Sequence, residues 1–141
     1  MAQAPFEHGR VIGIGGVFFK SPDHARLRAW YAHHLGIDHG NDGAMFKWRA
    51  DSPDAGGAGH LTVWSIFPGA STYFDPSPAP FMINYIVDDL DAILARLGSG
   101  GVRIDPKRED FDYGRFAWVY DADGNKIELW EPPKAEGGSP M

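Results

Sequence analysis

Two stretches of the chain place apolar residues at the spacing of an amphipathic helix. The first follows Ser21-Pro22-Asp23, runs over His24–Leu35 and is followed by Gly36. The second follows Asp88-Asp89 and has its leucines and isoleucine at i, i+3, i+4 and i+7. Aspartate is a favoured N-cap and glycine a favoured C-cap. We therefore predict helices over residues 23–35 and 89–98.

Runs rich in β-branched and aromatic residues predict the strands. The predicted strands are Val11–Lys20, Met45–Arg49, Leu61–Phe67, Phe81–Val87, Val102–Ile104 and the two arms of a hairpin within Gly114–Pro132. Polar residues 105–113 are predicted as a loop. The first strand contains Gly13, Gly15 and Gly16, which we interpret as marks of close packing or of a bulge, since they do not form a nucleotide-binding loop.

The last strand, Lys126–Trp130, alternates between two kinds of side chain. Ile127 and Leu129 fall on one face, whereas Lys126, Glu128 and Trp130 fall on the other. We expect the apolar face to pack against the helices. Glu128 would then face the opposite side of the sheet beside an aromatic residue, which makes it the most suggestive chemical group in the chain.

The second half of the chain repeats landmarks of the first at an offset of about 65 residues. The matched pairs are Asp23 with Asp89, Gly36 with Gly101, and Pro68 with Pro132. The repeat predicts two copies of a strand–helix–strand–strand–strand unit. Neither copy would bury much surface alone, so we expect the two to pair.

Composition narrows the classes of partner. The net charge of −6 and the pI near 5.4 argue against nucleic acid or an anionic membrane as the main partner. No apolar run reaches the roughly 20 residues of a membrane helix, and the first residues do not read as a secretory signal. The chain has no cysteine and therefore no disulfide or thiolate metal site. We expect a cytoplasmic protein.

Three motifs resemble the vicinal oxygen chelate superfamily, which includes glyoxalase I, extradiol dioxygenases, fosfomycin-resistance enzymes and bleomycin-resistance proteins. They are SPDHARLRAWYAHHLG in the first half, and VDDLDAILARL and FAWVYDADGNKIELWEP in the second. The resemblance implies an α+β fold in which two paired βαβββ modules form a curved mixed sheet around a cleft, usually in a homodimer.

The predicted domain organisation follows from the repeat and from this resemblance. We predict one glyoxalase-like domain over residues 11–132. It comprises a first module over 11–68, a proline-rich linker over 69–80 and a second module over 81–132. Residues 1–10 are predicted as a lead-in, and residues 133–141 as a flexible tail.

Metal-dependent members of the family carry ligands on the first and last strand of each module. Counting places these positions at Gly16, Trp64, Met82 and Glu128. A single carboxylate does not hold a divalent ion, because catalytic zinc sites keep about three protein ligands. We therefore predict no native metal and no cofactor. The alternative is a displaced divalent site that His60 or Asn84 would join.

Two interpretations of Glu128 follow. It is a catalytic residue in an aromatic cleft, where burial would suit it to move a proton, or it is a structural carboxylate, solvated or paired with Lys126, Arg115 or a partner chain. The candidate ligand-binding residues are Trp64, His60, Met82, Asn84, Trp118 and Trp130.

Our leading hypothesis for the function is binding of a small organic molecule near Glu128, without a metal and with catalysis left open. One alternative is a metal-dependent lyase or dioxygenase resembling glyoxalase I. The other is non-catalytic sequestration of a cationic drug, resembling bleomycin-resistance proteins.

Overall fold

The computed structural model describes residues 9–48 and 60–133. In chain order the described elements are β1 (Val11–Ser21), α1 (His24–Leu35), β2 (Ala44–Lys47), β3 (Leu61–Pro68), β4 (Phe81–Val87), α2 (Leu90–Ser99), β5 (Ile104–Phe111), β6 (Gly114–Tyr120) and β7 (Lys126–Glu131). The predicted lead-in up to residue 8, the strand end at Arg49 and the tail beyond residue 133 lie outside the described residues. Neither described helix has the length and apolarity needed to cross a membrane.

The seven described strands form one mixed sheet in the order β2-β3-β1-β4-β7-β6-β5. β1 lies parallel to β3 in the first half, and β4 lies parallel to β7 in the second half. The two halves join where β1 runs antiparallel to β4. The parallel pairing of β1 with β3 is thus repeated by β4 with β7, which confirms the predicted α+β fold. Within the described residues, two strands follow the helix of the first half and three follow the helix of the second.

Both helices begin and end close to the predicted residues. Asp23 caps α1 by accepting a hydrogen bond from the Arg26 backbone, and Gly36 ends the helix in the left-handed conformation. Asp89 caps α2 by accepting from the Ala92 backbone. Asp88 instead accepts hydrogen bonds from the backbone of Gly9 and Arg10. Short-range capping chemistry thus places the helix ends.

The two helices differ in how deeply they pack. Leu90, Ile93 and Leu94 of α2 are buried against the sheet, as the helical spacing predicts. No residue of α1 is buried. Tyr31 of α1 packs on Trp64, with ring centroids 4.8 Å apart, whereas Trp30 keeps 49% of its surface exposed. Among the described residues, α1 therefore does not enclose an apolar core with the sheet as α2 does.

The polar stretch predicted as a loop forms most of strand β5, so that prediction is wrong. β5 pairs antiparallel with β6 at one edge of the sheet. Its pairing is irregular between Ile104 and Arg108, around Pro106, which cannot donate a backbone hydrogen bond. An edge strand buries little of either face. The stretch can therefore form a strand by pairing with β6 although its sequence has no apolar pattern.

The glycines of β1 allow close approach, which confirms the predicted bulges and packing. β1 shifts register against β4 between Val11 and Gly13 and again between Ile14 and Gly16. A Cβ at Gly15 would lie 2.4 Å from Asn84 Oδ1, and a Cβ at Gly13 would lie 1.9 Å from the Trp48 ring. Side chains from neighbouring elements therefore occupy the space above both glycines.

Candidate functional site

Strand β7 places Glu128 on the side of the sheet opposite α2. Ile127 and Leu129 pack with the α2 core, and Glu128 faces the other way between β4 and β6. Its neighbours in register are Asn84 on β4 and Trp118 on β6. Glu128 is 4% exposed. The alternation of the sequence therefore predicted its face correctly, but the carboxylate is buried rather than solvated.

Three side chains donate hydrogen bonds to the Glu128 carboxylate. Trp118 Nε1 lies 2.9 Å from Oε2, and Asn84 Nδ2 lies 2.6 Å from Oε1. The Tyr73 hydroxyl donates to Oε2 over 2.5 Å. A buried carboxylate requires such partners, because an unpaired buried charge is costly. Lys126 and Arg115 were the partners expected for a structural carboxylate. Instead, Lys126 donates to the Tyr73 carbonyl and Arg115 pairs with Asp91.

Tyr73 comes from the proline-rich segment between the modules, which the sequence assigned only as a linker. Phe74 beside it is fully buried and packs with Phe18, Met82 and Trp118. Burial, reinforced by the neighbouring Glu128, raises the pKa of the Tyr73 phenol above its ordinary range. The segment is therefore held over the sheet by the buried Phe74 ring, by the hydrogen bond from Tyr73 to Glu128 and by the bond from Lys126 to the Tyr73 carbonyl. Two adjacent aromatic residues among the prolines were its only signal in the sequence.

The Glu128 side of the sheet also carries a group of aromatic rings, here called the aromatic patch. It consists of Phe111, Tyr113, Phe116 and Trp130. Phe116 and Trp130 stack with centroids 5.9 Å apart, and Phe111 and Tyr113 stack at 5.1 Å. Trp130 Nε1 donates to the Tyr113 carbonyl over 2.7 Å, which fixes the indole. The patch keeps substantial exposure, since Tyr113 is 58% and Phe111 is 47% exposed.

Trp118 connects the aromatic patch to the Glu128 cluster. It is buried at 1% exposure and stacks with Phe116 at a centroid distance of 6.5 Å. Lys107 Nζ lies 5.1 Å and Lys126 Nζ 5.9 Å from the centre of its ring. Burial lowers the pKa of Lys126, whose ammonium group donates to the Tyr73 carbonyl over 2.9 Å. The site therefore contains cations as well as a carboxylate.

The predicted ligand-binding residues divide into two groups. Asn84 and Trp118 contact Glu128, Met82 packs with Trp118, and Trp130 lies in the aromatic patch on the same side. Trp64 and His60 are not brought to this cluster. The Trp64 ring contacts Phe19 and Tyr31 beneath α1, and the His60 ring contacts Trp48. Burial lowers the pKa of His60.

Counting along the sequence gave Gly16, Trp64, Met82 and Glu128 as the expected ligand positions, and pairing of the central strands shows which residues are neighbours there. Asn84 lies next to both Gly16 and Glu128, and Gly16 lies next to Val63. The four adjacent positions are thus Gly16, Val63, Asn84 and Glu128, whereas counting along the sequence had given Met82 and Trp64 for two of them.

This donor set does not fit a divalent metal. It offers one carboxylate and one amide, and both carboxylate oxygens already accept hydrogen bonds from protein groups. Among residues 9–48 and 60–133 no three His, Asp or Glu side chains come together as a metal site would require. The absence of a native metal stays a prediction.

Residues 13–129 match the Glyoxalase/Bleomycin resistance protein/Dioxygenase superfamily. The chain belongs to this superfamily. The match spans both modules, from the glycines of β1 to Leu129 beside Glu128, so the predicted family is confirmed.

Solved structures of similar fold include methylmalonyl-CoA epimerases. The enzyme from Mycobacterium tuberculosis is 24% identical, with a TM-score of 0.55 over 87% of this chain and 89% of that one. A Streptomyces coelicolor epimerase, solved with 2-nitronate-propionyl-CoA, is 17% identical, with a TM-score of 0.63 over 90% of this chain and 99% of that one. These likenesses show the glyoxalase-type fold. None of the curated proteins compared matches the sequence significantly.

Proposed function

We propose that this glyoxalase-superfamily protein binds a small organic molecule with a flat ring on the aromatic patch beside Glu128, without a native metal. The observation that carries the proposal is the continuity of the site. Exposed rings at Phe111 and Tyr113 lead through Phe116 to buried Trp118, which donates to Glu128. Small-molecule sites are mostly apolar with a few convergent polar groups, and this site has that composition.

The side chains beside Glu128 favour this proposal over a metal-dependent lyase or dioxygenase. Such an activity would need ligands that Gly16 and Val63 cannot provide. Proton transfer by Glu128 to a bound molecule is a separate proposal. Because Tyr73 covers the carboxylate, a substrate would have to displace the Tyr73 hydroxyl before it could exchange a proton with Glu128.

The charges of the site do not single out a cationic drug as the ligand. Glu128 and Glu109 lie on this side of the sheet, but so do Lys107 and Lys126. Lys107 pairs with Glu109 at 3.4 Å. A cation would gain from the ring faces yet meet two ammonium groups near Trp118. We therefore propose a neutral or weakly charged aromatic ligand, in a cytoplasmic protein.

The test is a screen of planar aromatic fragments, divided into cationic, neutral and anionic sets, followed by two-dimensional NMR. A true ligand should shift the indole N–H signal of Trp130. Trp130→Ala should weaken binding of that ligand by roughly tenfold because a stacking partner is lost. The control is Trp30→Ala, which removes an indole from α1, away from the aromatic patch. Equal weakening by both variants, or fragments that leave the Trp130 signal unchanged, would contradict the proposed site.

A further inference from the structure

A second concave site lies on the other side of the sheet, between α2, the start of β5 and the turn that joins β6 to β7. Its volume is about 650 Å³, within the range of roughly 300–1,000 Å³ typical of small-molecule pockets. Ile93, Val119 and Leu129, which line it, belong to the core beneath α2. The sheet itself therefore separates this site, here called the α2 cleft, from Glu128 and the aromatic patch.

The wall of the α2 cleft is apolar, and residues 9–48 and 60–133 do not cover it. Tyr85, Leu97, Val102 and Ile127 pack against the buried core yet remain only half-buried, and all four line the cleft. Each thus keeps apolar surface in contact with water. Covering that surface would be favourable in proportion to its area, so an apolar body of matching size would bind there.

The rim of the cleft presents a cation. Arg103 is exposed and lies over the Tyr120 ring, with its guanidinium carbon 4.3 Å from the ring centre. Within the part of the chain that the structure describes, no carboxylate is placed within 4.0 Å of this guanidinium. Stacking on Tyr120 holds the group at the rim while leaving its five N–H donors free for a planar anion.

Two carboxylates lie in the same neighbourhood, and both are occupied by local contacts. Asp121 accepts hydrogen bonds from the backbone of Asp123 and Asn125, at 2.9 Å each, within its own turn. Asp105 accepts from the Tyr120 hydroxyl over 2.6 Å. These bonds direct both carboxylates to protein donors, so Arg103 is the group at the rim that can pair with a ligand.

We propose that the α2 cleft is a second binding site, for a small amphipathic anion whose apolar body contacts Leu97 and Val102 and whose carboxylate or sulfonate pairs with Arg103. The apolar lining favours ligands with an apolar part. The guanidinium favours ligands that carry a negative charge at one end. The inference does not depend on ligand binding at the aromatic patch, because the two sites share no residue.

The first test uses 8-anilinonaphthalene-1-sulfonate as the anionic probe and N-phenyl-1-naphthylamine as its uncharged counterpart. Fluorescence titration of the full chain should show saturable one-to-one binding of the sulfonate. In NMR spectra of the same titration, the amide signals of Leu97, Val102 and Arg103 should shift. The indole N–H signals of Trp118 and Trp130 report the opposite side of the sheet and should stay in place.

Variants then separate the apolar from the charged contribution. Leu97→Trp should fill the cleft and lower the affinity for both probes on the order of tenfold, because a filled site does not accept added volume. Arg103→Gln should weaken the sulfonate by about two- to fivefold, the range for exposed charge pairs, and leave the uncharged probe unchanged. The matched controls on α1 are Leu35→Trp and Arg26→Gln, which should change neither affinity.

If Leu97→Trp does not fold, as judged by circular dichroism, Val102→Trp on the following loop tests the same point. Non-saturable binding of the sulfonate, or shifts confined to the tryptophan indoles, would overturn the proposal. Equal weakening of both probes by Arg103→Gln would overturn the assigned charge pairing. A failure of Trp130→Ala to affect ring-containing fragments would count against the aromatic patch alone.

Discussion

At the scale of single residues, the buried Glu128 carboxylate accepts three hydrogen bonds from side chains that lie outside β7. Its partners are Tyr73, Asn84 and Trp118, and all three donate. A hydrogen bond to a charged group contributes about 1.5–3 kcal/mol to stability, against about 0.5–1.5 kcal/mol for a neutral pair. Glu128 on β7 therefore links β4, β6 and the segment that carries Tyr73, whether or not it also binds a ligand.

Glu128→Gln should lower the free energy of unfolding by about 1–3 kcal/mol, because the charge-assisted bonds become neutral and one acceptor becomes a donor. Glu128→Ala should cost more, since three buried donors lose their acceptor. Chemical denaturation measures both. The control is Glu109→Gln on the same side of the sheet, expected to cost less than about 1 kcal/mol. A Glu128→Gln protein as stable as wild type would show that the cluster contributes nothing to folding.

The Tyr73 phenol should make the fold sensitive to alkali. Its pKa is raised in the folded protein by burial and by Glu128, and burial with a bond to Asp105 raises the pKa of Tyr120 to about 12. In the unfolded chain both titrate near their ordinary value of about 10. Above that pH the unfolded chain releases protons that the folded chain retains, so the free energy of unfolding falls as pH rises.

Comparison of unfolding at pH 9 and pH 11 checks this expectation. Tyr73→Phe should reduce the loss of stability between the two values, by up to about 1.4 kcal/mol for each pH unit above the unfolded pKa. Tyr113→Phe removes an exposed phenol and should leave the loss unchanged. An identical pH dependence in wild type and Tyr73→Phe would contradict the buried, unionised phenol.

At the scale of elements, the bulged strand β1 depends on its glycines. The space that a side chain at Gly15 would need is taken by Asn84, Ile86 and Trp130. Asn84 Oδ1 is buried there and has no hydrogen-bond partner among the described residues. The bulge thus brings the backbone of β1 against the amide that holds Glu128, and it couples strand geometry to the site.

Gly15→Ala should therefore lower the free energy of unfolding by roughly 1–3 kcal/mol, the usual cost of overpacking. A Cβ at Gly15 would lie 2.4 Å from Asn84 Oδ1 and 2.8 Å from both Ile86 and Trp130. At Gly40 the nearest atom to a Cβ would be the Gly43 carbonyl oxygen, 3.8 Å away. Gly40→Ala is the matched control and should change stability by less than about 0.5 kcal/mol. Equal changes in stability for Gly15→Ala and Gly40→Ala would mean that β1 moves to accommodate the added methyl group without cost.

At the scale of the whole molecule, the metal content of the purified protein remains to be measured. Elemental analysis should find no stoichiometric divalent ion, since Gly16 and Val63 stand beside Asn84 and Glu128 where a metal would need donors. About one zinc, manganese, iron or nickel per chain, lost in Glu128→Gln, would contradict the prediction. Metal unaffected by Glu128→Gln would place the ion elsewhere.

Homodimer formation is the other prediction at this scale, and it came from the family resemblance. The first module exposes several apolar side chains: Trp30 at 49%, Leu35 at 61%, Met45 at 53% and Phe46 at 49%. Exposed apolar surface of this kind is typical of protein contacts. Sedimentation at micromolar concentration should show a dimer, and Phe46→Asp should shift it toward monomer. A wild-type monomer at that concentration would remove the prediction.

The sequence by itself determined what depends on local spacing. Helical periodicity and capping aspartates placed α1 and α2, alternation placed Glu128 opposite the α2 core, and repeated landmarks revealed the two modules. Periodicity, capping and alternation need only neighbours within a few residues, where the chain's own geometry fixes which side chains share a face. The repeat is visible in the order of residues alone.

Only the tertiary structure decided which distant residues meet. The register of the parallel pairing between β4 and β7 placed Asn84, rather than Met82, beside Glu128. Pairing with β6 turned a polar stretch into β5. Folding of the linker brought Tyr73 onto a carboxylate 55 residues away. Each outcome depends on long-range pairing, and because side chains alternate with a period of two, a shift of one residue changes the face that every side chain occupies.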